Sequence, residues 1–140
     1  MSLLQIIYTS TLVTDGAAVL SAILETSVRN NARDDITGML LHSAGNVLQV
    51  IEGEAGVLQA RYARICEDPR HKGLIELSQE TVSSREFGRW SMGVRGLRPE
   101  DMSPPGASHA LFRGGFDQHI LSARPGLARE MLALFSRNMR

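Results

Sequence analysis

The chain has 140 residues, of which 43% are hydrophobic and 21% charged, so it can bury a core and its composition excludes general disorder. Fifteen basic side chains balance fifteen acidic ones, which disfavours binding to nucleic acid or a membrane surface through net charge. The single cysteine, Cys66, excludes an internal disulfide, and we find no basic leader or membrane-spanning apolar run. We therefore expect a soluble, cytoplasmic protein with one domain and a terminal appendage.

The first third of the chain predicts a strand followed by a helix. Leu3 to Thr9 is a short apolar run with β-branched residues, as in a buried strand. Thr14 or Asp15 can cap the helix that follows. Its predicted buried stripe recurs at helical spacing and consists of Leu20, Ile23, Leu24 and Val28. Asn31 continues this stripe about three turns after its first member.

A hairpin and a second helix come next. Residues 37–41 and 47–52 predict two strands, and the small polar residues at 43–46 predict the turn between them. The second helix should end at Asp68, because a proline follows and disfavours helical geometry in the residue before it. One side of this helix is expected to carry Val57, Leu58, Arg61, Tyr62, Ile65 and Cys66.

Two further strands complete the predicted sheet. Apolar and polar residues alternate from Leu74 to Val82, and Trp90, Met92 and Val94 alternate in the same way. The order βαββαββ predicts an α+β, ferredoxin-like sheet with both helices on one face. In this order the first and third strands are neighbours at the centre of the sheet.

A boundary is predicted after residue 97, where prolines and glycine cluster at 99–106. We expect a first domain over 1–97 and a helical extension over 98–140. The extension should contain a short helix around 110–122 and a clearer helix that opens at Pro125. The apolar stripe of this last helix consists of Leu127, Met131, Leu134 and Phe135. Because the stripe has no partner within the extension, we expect it to cover the other face of the sheet.

Two polar residues stand out at the centre of the predicted sheet. Gln49 shares a strand face with Val47 and Ile51, and a buried amide without partners costs about 1–3 kcal/mol. Tyr8 ends the first strand and would lie beside Gln49 beneath the helices. Spacing alone leaves open a purely structural hydrogen bond for Gln49. It also leaves open a core tyrosine whose hydroxyl reaches the surface.

The other candidate residues each have an ordinary interpretation as well. Asn31 also suits a helix C-terminus, and Arg64 and Asp68 are spaced as a surface ion pair. Ile23 and Ile65 could be core residues or could clamp a flat ring.

Trp90 and Met92 are expected to point the same way from the last strand, where core packing is their ordinary role. Together with Tyr8, Asn31 and Gln49 they form a set of neutral side chains. Such a set suits the binding of an aromatic heterocycle whose electronic state changes. The combination favours a sensor over a conventional enzyme.

Five short motifs occur in the order and near the spacing of a known family. They are Tyr8-Thr9-Ser10, Asn31-Ala32-Arg33 with Ile36 to Leu40, Gln49 to Gly53, Asp68 to His71, and Phe87 with Trp90 and Met92. Over Leu3 to Leu97 the chain resembles the BLUF domains, the blue-light sensors using FAD, in their short stand-alone form. The resemblance implies a ferredoxin-like photosensor domain at 1–97 and an extension at 98–140 for output or oligomerisation.

The resemblance also implies a non-covalently bound FAD, with FMN or riboflavin left open. Ile23 and Ile65 would line the two faces of the isoalloxazine ring, and Asn31 would bind its C4 carbonyl and N3 edge. The full set of implied cofactor-binding residues is Tyr8, Ile23, Asn30, Asn31, Gln49, Arg64, Ile65, Asp68, Arg70 and His71.

Tyr8 and Gln49 match the light-active pair of the family. The resemblance implies that excited flavin takes an electron and a proton from Tyr8, and that Gln49 relays the proton by rotation or tautomerism. A changed hydrogen bond at the flavin C4 carbonyl and N5 would shift absorption to the red. Trp90 and Met92 would pass the change to the terminal helices, and so to a separate partner protein. The implied protein is a homo-oligomer and not an enzyme.

Two other functions are compatible with the same predicted fold. A small hydrolase of the acylphosphatase type would need Arg33 with Asn30 or Asn31 at a phosphate, but we find no anion loop and no nucleophile beside a base. The four histidines are isolated, without the spacing of metal ligands. A cofactor-free dimerisation module would explain the core but not a buried Gln49 that faces Tyr8.

Overall fold

A computed structural model describes residues 2–13, 17–43, 45–96 and 125–136 of the chain. In chain order its strands and helices are β1 (Leu3–Leu12), α1 (Ala17–Arg33), β2 (Thr37–Ser43), β3 (Asn46–Glu54), α2 (Ala55–Glu67), β4 (His71–Val82), β5 (Gly93–Gly96) and α3 (Pro125–Ser136). This order confirms the predicted α+β, ferredoxin-like arrangement. The predicted caps at Thr14 and Asp15, the boundary at 97–106 and the short helix at 110–122 lie outside the described residues.

The sheet has the strand order β4-β1-β3-β2-β5, so β1 and β3 are central neighbours as predicted. β1 pairs antiparallel with both β3 and β4, and β2 pairs antiparallel with β3 but parallel with β5. In the register between β1 and β3, Tyr8 lies opposite Gln49 and Gln5 lies opposite Glu52. β1 and β3 are buried on both sides along almost their whole length. This explains why apolar and polar residues do not alternate regularly along these strands.

Each face of the sheet has its own apolar cluster. The cluster beneath α1 and α2 is built on Leu4, Ile6, Tyr8, Leu12, Ile36, Leu40, Val47, Ile51, Leu58 and Met92. The cluster on the opposite face contains Ile7, Met39, Leu41, Leu48, Val50, Leu77 and Phe87, together with Ala128, Met131 and Leu132 of α3. This confirms that α3 opens at Pro125 and covers the second face.

The predicted helical stripes were too wide. Val28 is 43% exposed and Val57 is 39% exposed, and Cys66 is exposed as well. At 3.6 residues per turn these three positions lie on the flanks of their helices. Asn31, which is buried, continues the inner face of α1 in place of Val28.

The fifth strand is shorter than predicted. β5 begins at Gly93, so Trp90 and Met92 belong to the irregular stretch between β4 and β5, the β4–β5 segment (residues 83–92). Two backbone carbonyl groups of this segment accept hydrogen bonds that do not belong to a regular β-ladder. The Trp90 carbonyl accepts from Gly38 N at 3.0 Å, and the Ser91 carbonyl accepts from Asn31 Nδ2 at 2.9 Å.

The β2–β3 turn and the C-terminal end of α2, which both border the site, follow simple local rules. Gly45 turns the β2–β3 hairpin with φ of 84°, a conformation that glycine adopts without steric cost. α2 ends at the predicted place, with Asp68 as its cap and Asp68 N donating to the Ile65 carbonyl at 3.1 Å. Among the described residues, no helix is both long and apolar enough to cross a membrane.

Candidate functional site

A cavity of about 210 Å³ lies between α1, α2 and the adjoining face of the sheet. All ten residues predicted to bind a cofactor line it: Tyr8, Ile23, Asn30, Asn31, Gln49, Ile65, Arg64, Asp68, Arg70 and His71. The remaining lining residues are Ser10, Leu12, Leu20, Thr26, Ser27, Leu40, Val47, Ile51 and Arg61. The cavity thus has an apolar interior with several amides and a charged end, the usual make-up of a site for a flat organic ligand.

A buried series of hydrogen bonds forms the sheet side of the cavity. The Tyr8 hydroxyl donates to Gln49 Oε1, and Gln49 Nε2 donates to Met92 Sδ at 3.4 Å. Tyr8 is 2% exposed, Gln49 6% and Met92 7%. The series exists because Tyr8 and Gln49 are register partners on the two central strands. The Tyr8 hydroxyl therefore does not reach the surface.

Burial controls the ionisation of Tyr8. Loss of water around the phenol raises its pKa well above the ordinary tyrosine value, with a smaller contribution from nearby Tyr62. The ring of Tyr62 lies 5.5 Å from that of Tyr8, centroid to centroid, at an interplanar angle of 51°. Tyr8 is therefore held as a neutral phenol that can donate its hydrogen to Gln49.

Met92 and Trp90 occupy different surroundings, contrary to the expectation that they point the same way. Met92 packs in the cluster beneath the helices and contacts Gln49. Trp90 is half-buried, and the Arg89 guanidinium lies 5.3 Å from its ring centroid. Since both residues precede β5, the period-two rule for strands does not govern them. Of the two, the structure brings only Met92 to the predicted light-active pair.

Asn31 connects the cavity to the β4–β5 segment. Its side chain is 3% exposed, and Nδ2 donates to the Ser91 carbonyl. Its own carbonyl accepts from Ile36 N at 2.8 Å, which ties the end of α1 to the start of β2. Asn31 therefore closes a helix end and presents an amide to the cavity at the same time.

The charged end of the cavity is organised around Asp68. Arg70 donates to both carboxylate oxygens of Asp68, with Nη2 to Oδ2 at 2.6 Å and Nε to Oδ1 at 3.0 Å. Asp68 thus pairs with Arg70, whereas the sequence spacing had suggested Arg64. The Arg70 guanidinium lowers the pKa of the Asp68 carboxyl below its ordinary value. Arg64 is exposed and lines the same end.

Arg61 is a cavity residue that the sequence did not assign to the site. Its Nη2 donates to Asp34 Oδ2 at 2.6 Å, which joins α2 to the turn after α1. Among the described residues, Arg61 Nε and His71 Nδ1 are buried side-chain nitrogens without a hydrogen-bond partner. The signal for Arg61 was its place on the inner side of α2, where a charged residue is unusual. Two unpartnered buried nitrogens at one cavity fit a ligand with polar atoms.

The residues that a phosphate site would require do not converge. Arg33 does not line the cavity, and its side chain is 66% exposed beside Asp34. Within the described part of the chain, no group of three or more His, Cys, Asp or Glu side chains is arranged to hold a metal ion.

Most of the chain matches a family model, and about half of it is similar to known proteins. The model of the family described as "Sensors of blue-light using FAD" matches residues 3–93. The "Blue light- and temperature-regulated antirepressor BluF" of Escherichia coli K12 is 36% identical over 70 residues, covering 50% of this chain and 17% of that protein. The "Photoactivated adenylate cyclase subunit beta" of Euglena gracilis is 36% identical over 74 residues, covering 52% of this chain and 9% of that protein. The aligned part is therefore a small share of each of these relatives.

Solved structures share the fold, among them those of BlrB and BlrP1. The dark-state structure of BlrB, described as a BLUF protein, has a TM-score of 0.72 at 25% identity and covers 94% of this chain and 96% of that one. Klebsiella pneumoniae BlrP1 with FMN and cyclic diGMP has a TM-score of 0.62 at 30% identity, covering 67% of this chain and 26% of that one. None of these likenesses supports a hydrolase.

Proposed function

The chain belongs to the BLUF family of sensors of blue light using FAD, and from this premise we propose that it is a blue-light photoreceptor that holds a flavin non-covalently between α1 and α2. The observation that carries the proposal is the buried series from Tyr8 through Gln49 to Met92 at the cavity wall. Neutral groups that both donate and accept can respond to a change in a bound ring without being consumed.

The chemistry of the cavity supports a flavin as its ligand. Ile23 and Ile65 supply apolar contact for the faces of a ring, while Asn31 and Gln49 offer amides to its heteroatoms. The unpartnered nitrogens of Arg61 and His71 can donate to ligand oxygens. Asn30, Arg64, Asp68 and Arg70 are proposed to hold the pyrimidine side.

FAD is the proposed flavin, because the family description names it, although the BlrP1 structure contains FMN. Chromatography of the flavin released by denaturing the purified protein distinguishes FAD from FMN and riboflavin.

The light reaction is proposed to begin at Tyr8. A bound oxidised flavin supplies the absorption of blue light and an excited state that accepts electrons readily. Tyr8 would be the electron donor, and its phenol proton would pass to Gln49 Oε1 along the bond that already joins them while Gln49 Nε2 would release a proton toward the ring. Because burial disfavours the phenolate form of Tyr8, the proton would return to the phenol when the electron does.

Gln49 is proposed to store the outcome as a changed hydrogen-bond pattern. If its carboxamide turns by half a rotation, Nε2 faces the Tyr8 hydroxyl and Oε1 faces Met92. The thioether sulfur of Met92 accepts weakly and has no hydrogen to donate. The rotated state therefore loses the contact of Gln49 with Met92, and the two states differ in how the β4–β5 segment is held.

The output is proposed to be a change of contact with a separate protein in the cytoplasm, without catalysis by this chain. The extension at 98–140 is the proposed site of output and self-association, because α3 packs directly on the sheet that carries Gln49. The relatives joined to cyclases are far longer than this chain, so their activity is not assigned to it.

The first test is the visible absorption spectrum of the purified protein in the dark and after a blue flash. We expect flavin bands that shift to the red without bleaching and relax in the dark. Gln49→Leu should bind flavin but lose the red shift, because leucine neither donates nor accepts. Tyr8→Phe should do the same, since it removes the hydroxyl that donates to Gln49.

A matched control is available for the glutamine variant. Gln79→Leu makes the same chemical change at an exposed position of β4, so it should leave the red shift intact. Bound flavin that only bleaches would contradict the Tyr8–Gln49 mechanism. A protein that takes up no flavin after reconstitution with FAD would contradict the photoreceptor proposal and favour a cofactor-free module.

A further inference from the structure

A second buried polar pair crosses the two central strands on the face opposite the cavity. Glu52 is fully buried, and its Oε2 accepts from Gln5 Nε2 at 2.8 Å. The same carboxylate accepts from two backbone amides of the β4–β5 segment, Glu86 N at 2.9 Å and Phe87 N at 2.7 Å. No arginine or lysine is among these partners. A carboxylate with this burial is costly unless several N–H groups bond it, so the two amides are firmly held.

The two polar pairs hold the same segment from opposite sides of the sheet. Tyr8 with Gln49 and Gln5 with Glu52 are register partners on β1 and β3. Residue 52 comes three positions after residue 49 on the same strand. Because side chains alternate along a strand, these two point to opposite faces of the sheet. Gln49 holds the end of the β4–β5 segment through Met92, and Glu52 holds its middle through two amides.

The middle of the segment is also where α3 is attached. Glu86 Oε1 accepts from Arg129 Nε at 3.0 Å, and Phe87 packs in the same cluster as Met131 and Leu132. Arg85 adds a further tie, because its Nη1 donates to the Glu52 carbonyl at 3.1 Å. A single stretch of backbone thus contacts Gln49 at one end and α3 near its middle.

We propose that Glu52, supported by Gln5, is a positioning residue that makes the β4–β5 segment the mechanical link between Gln49 and α3. This inference rests on the proposed photoreceptor function. When Gln49 releases Met92, the bonds to Glu52 keep the backbone amides of Glu86 and Phe87 against β3, so the segment turns about this point and reorients the two side chains. The displacement of Met92 then reaches α3 as a change in the Glu86–Arg129 ion pair and the packing of Phe87. The link bypasses residues 97–124 and runs through contacts already present in the folded domain.

The test measures amide hydrogen exchange of α3 in the dark and under blue light. The wild-type protein is expected to show a light-induced change in protection over residues 125–136. Glu86→Gln and Arg129→Gln each remove the ion pair at a partly exposed position, so both should fold and bind flavin normally. We expect them to keep the red shift and to lose the light-induced change in α3.

A neighbouring carboxylate supplies the matched control. Glu80 of β4 also faces Arg129, at 3.8 Å, but does not belong to the β4–β5 segment. Glu80→Gln therefore removes a similar charge without breaking the link, and its α3 response should equal that of the wild type.

Glu52→Gln tests the anchor itself. The side chain keeps its length, but one acceptor oxygen becomes an NH2 group. This group cannot accept a hydrogen bond from a backbone N–H. We expect faster exchange of the amides at 86 and 87 in the dark, an unchanged flavin spectrum and a loss of the light-induced change in α3. If this variant fails to fold, the two ion-pair variants decide the matter.

The outcomes separate this inference from the photoreceptor proposal. A wild-type protein without a red shift overturns that proposal and the inference with it. A normal red shift accompanied by an unchanged α3 response in both Glu86→Gln and Arg129→Gln overturns the inference alone. The same holds if the wild-type α3 shows no response to light.

Discussion

At the scale of single residues, the centre of the site depends on groups that are neutral and fully desolvated. Tyr8 must donate to protein because water does not reach it, and Gln49 accepts that bond while donating to Met92. Replacing either partner leaves a polar oxygen of the other buried and unpaired, which costs about 1–3 kcal/mol. The pair is therefore specific in geometry as well as in chemistry.

The ion pair at the charged end of the cavity gives a pH dependence of known sign. Arg70 lowers the pKa of Asp68 in the folded state, so the pair stabilises the protein above the unfolded value of about 3.9. This contribution is lost as the pH falls through the folded-state pKa. Because the pair is partly exposed, we expect Asp68→Asn to lower the free energy of unfolding by only about 0.2–1 kcal/mol at pH 7.

Urea unfolding between pH 3 and pH 7 checks this expectation. The difference between the wild type and Asp68→Asn should shrink as the pH falls below about 4. Glu67→Gln, at an exposed position one residue earlier, serves as the control and should show no such trend. A pH-independent difference for Asp68→Asn would mean that the pair contributes through packing instead.

At the scale of secondary-structure elements, close approach between strands sets the geometry of the site. Gly38 of β2 lies opposite Ile51 of β3, and its N–H donates to the Trp90 carbonyl just before β5 begins. A Cβ atom at this position would lie 2.2 Å from the Val50 carbonyl oxygen. Only glycine allows β2 to fit between β3 and the β4–β5 segment in this way.

Gly38→Ala is therefore expected to be strongly destabilising. The added methyl group meets backbone atoms, which must move apart, so the loss should reach about 1–3 kcal/mol or more. Gly126→Ala is the matched change, because its Cβ meets nothing within 4 Å and lies in α3. It should raise stability by up to about 1 kcal/mol, and thermal melting of both variants measures the contrast. Equal melting temperatures would contradict this account of β2.

At the scale of the whole molecule, the sheet separates the cavity from the region that α3 covers. One cluster packs beneath α1 and α2, and the other buries Ala128, Met131 and Leu132 of α3. α3 contacts β2, β3 and β4, so a change in the sheet can act on it directly. This layering allows one side to bind a ligand while the other responds.

The contribution of α3 can be measured by truncating one buried side chain. Leu132 is fully buried in the second cluster, so Leu132→Ala should cost about 2–5 kcal/mol. Val28→Ala removes an exposed side chain of α1 and should change stability by no more than about 0.5 kcal/mol. Urea unfolding compares the two variants. A small loss for Leu132→Ala would show that α3 is not packed on the sheet in solution.

The sequence by itself determined the element order, the central pairing of the first and third strands and the cofactor residues expected at one cavity. The element order follows from hydrophobic period and turn residues, the central pairing follows from the ferredoxin-like order, and the cofactor residues follow from the resemblance of short motifs to a known family. All ten expected residues line the cavity, although their role in binding stays a prediction. The short helix expected at 110–122 lies outside the described residues.

Tertiary structure alone decided which side chains meet. The period of two residues in a strand predicted that Trp90 and Met92 point the same way, yet only Met92 contacts Gln49. The reason is that the carbonyls of residues 90 and 91 accept hydrogen bonds from Gly38 and Asn31, so β5 begins later than predicted. Val28 and Val57 looked like core residues and are exposed, since neighbouring elements set how wide a helical face becomes.

The partners of Glu52 were likewise invisible in the sequence. Two of them come from a segment more than thirty positions away in the chain. Such contacts depend on how the chain returns to the sheet, which no local pattern of residues encodes. The anchor at Glu52 and the attachment of α3 at Glu86 were decided by the packing of the β4–β5 segment and α3 on one face of the sheet.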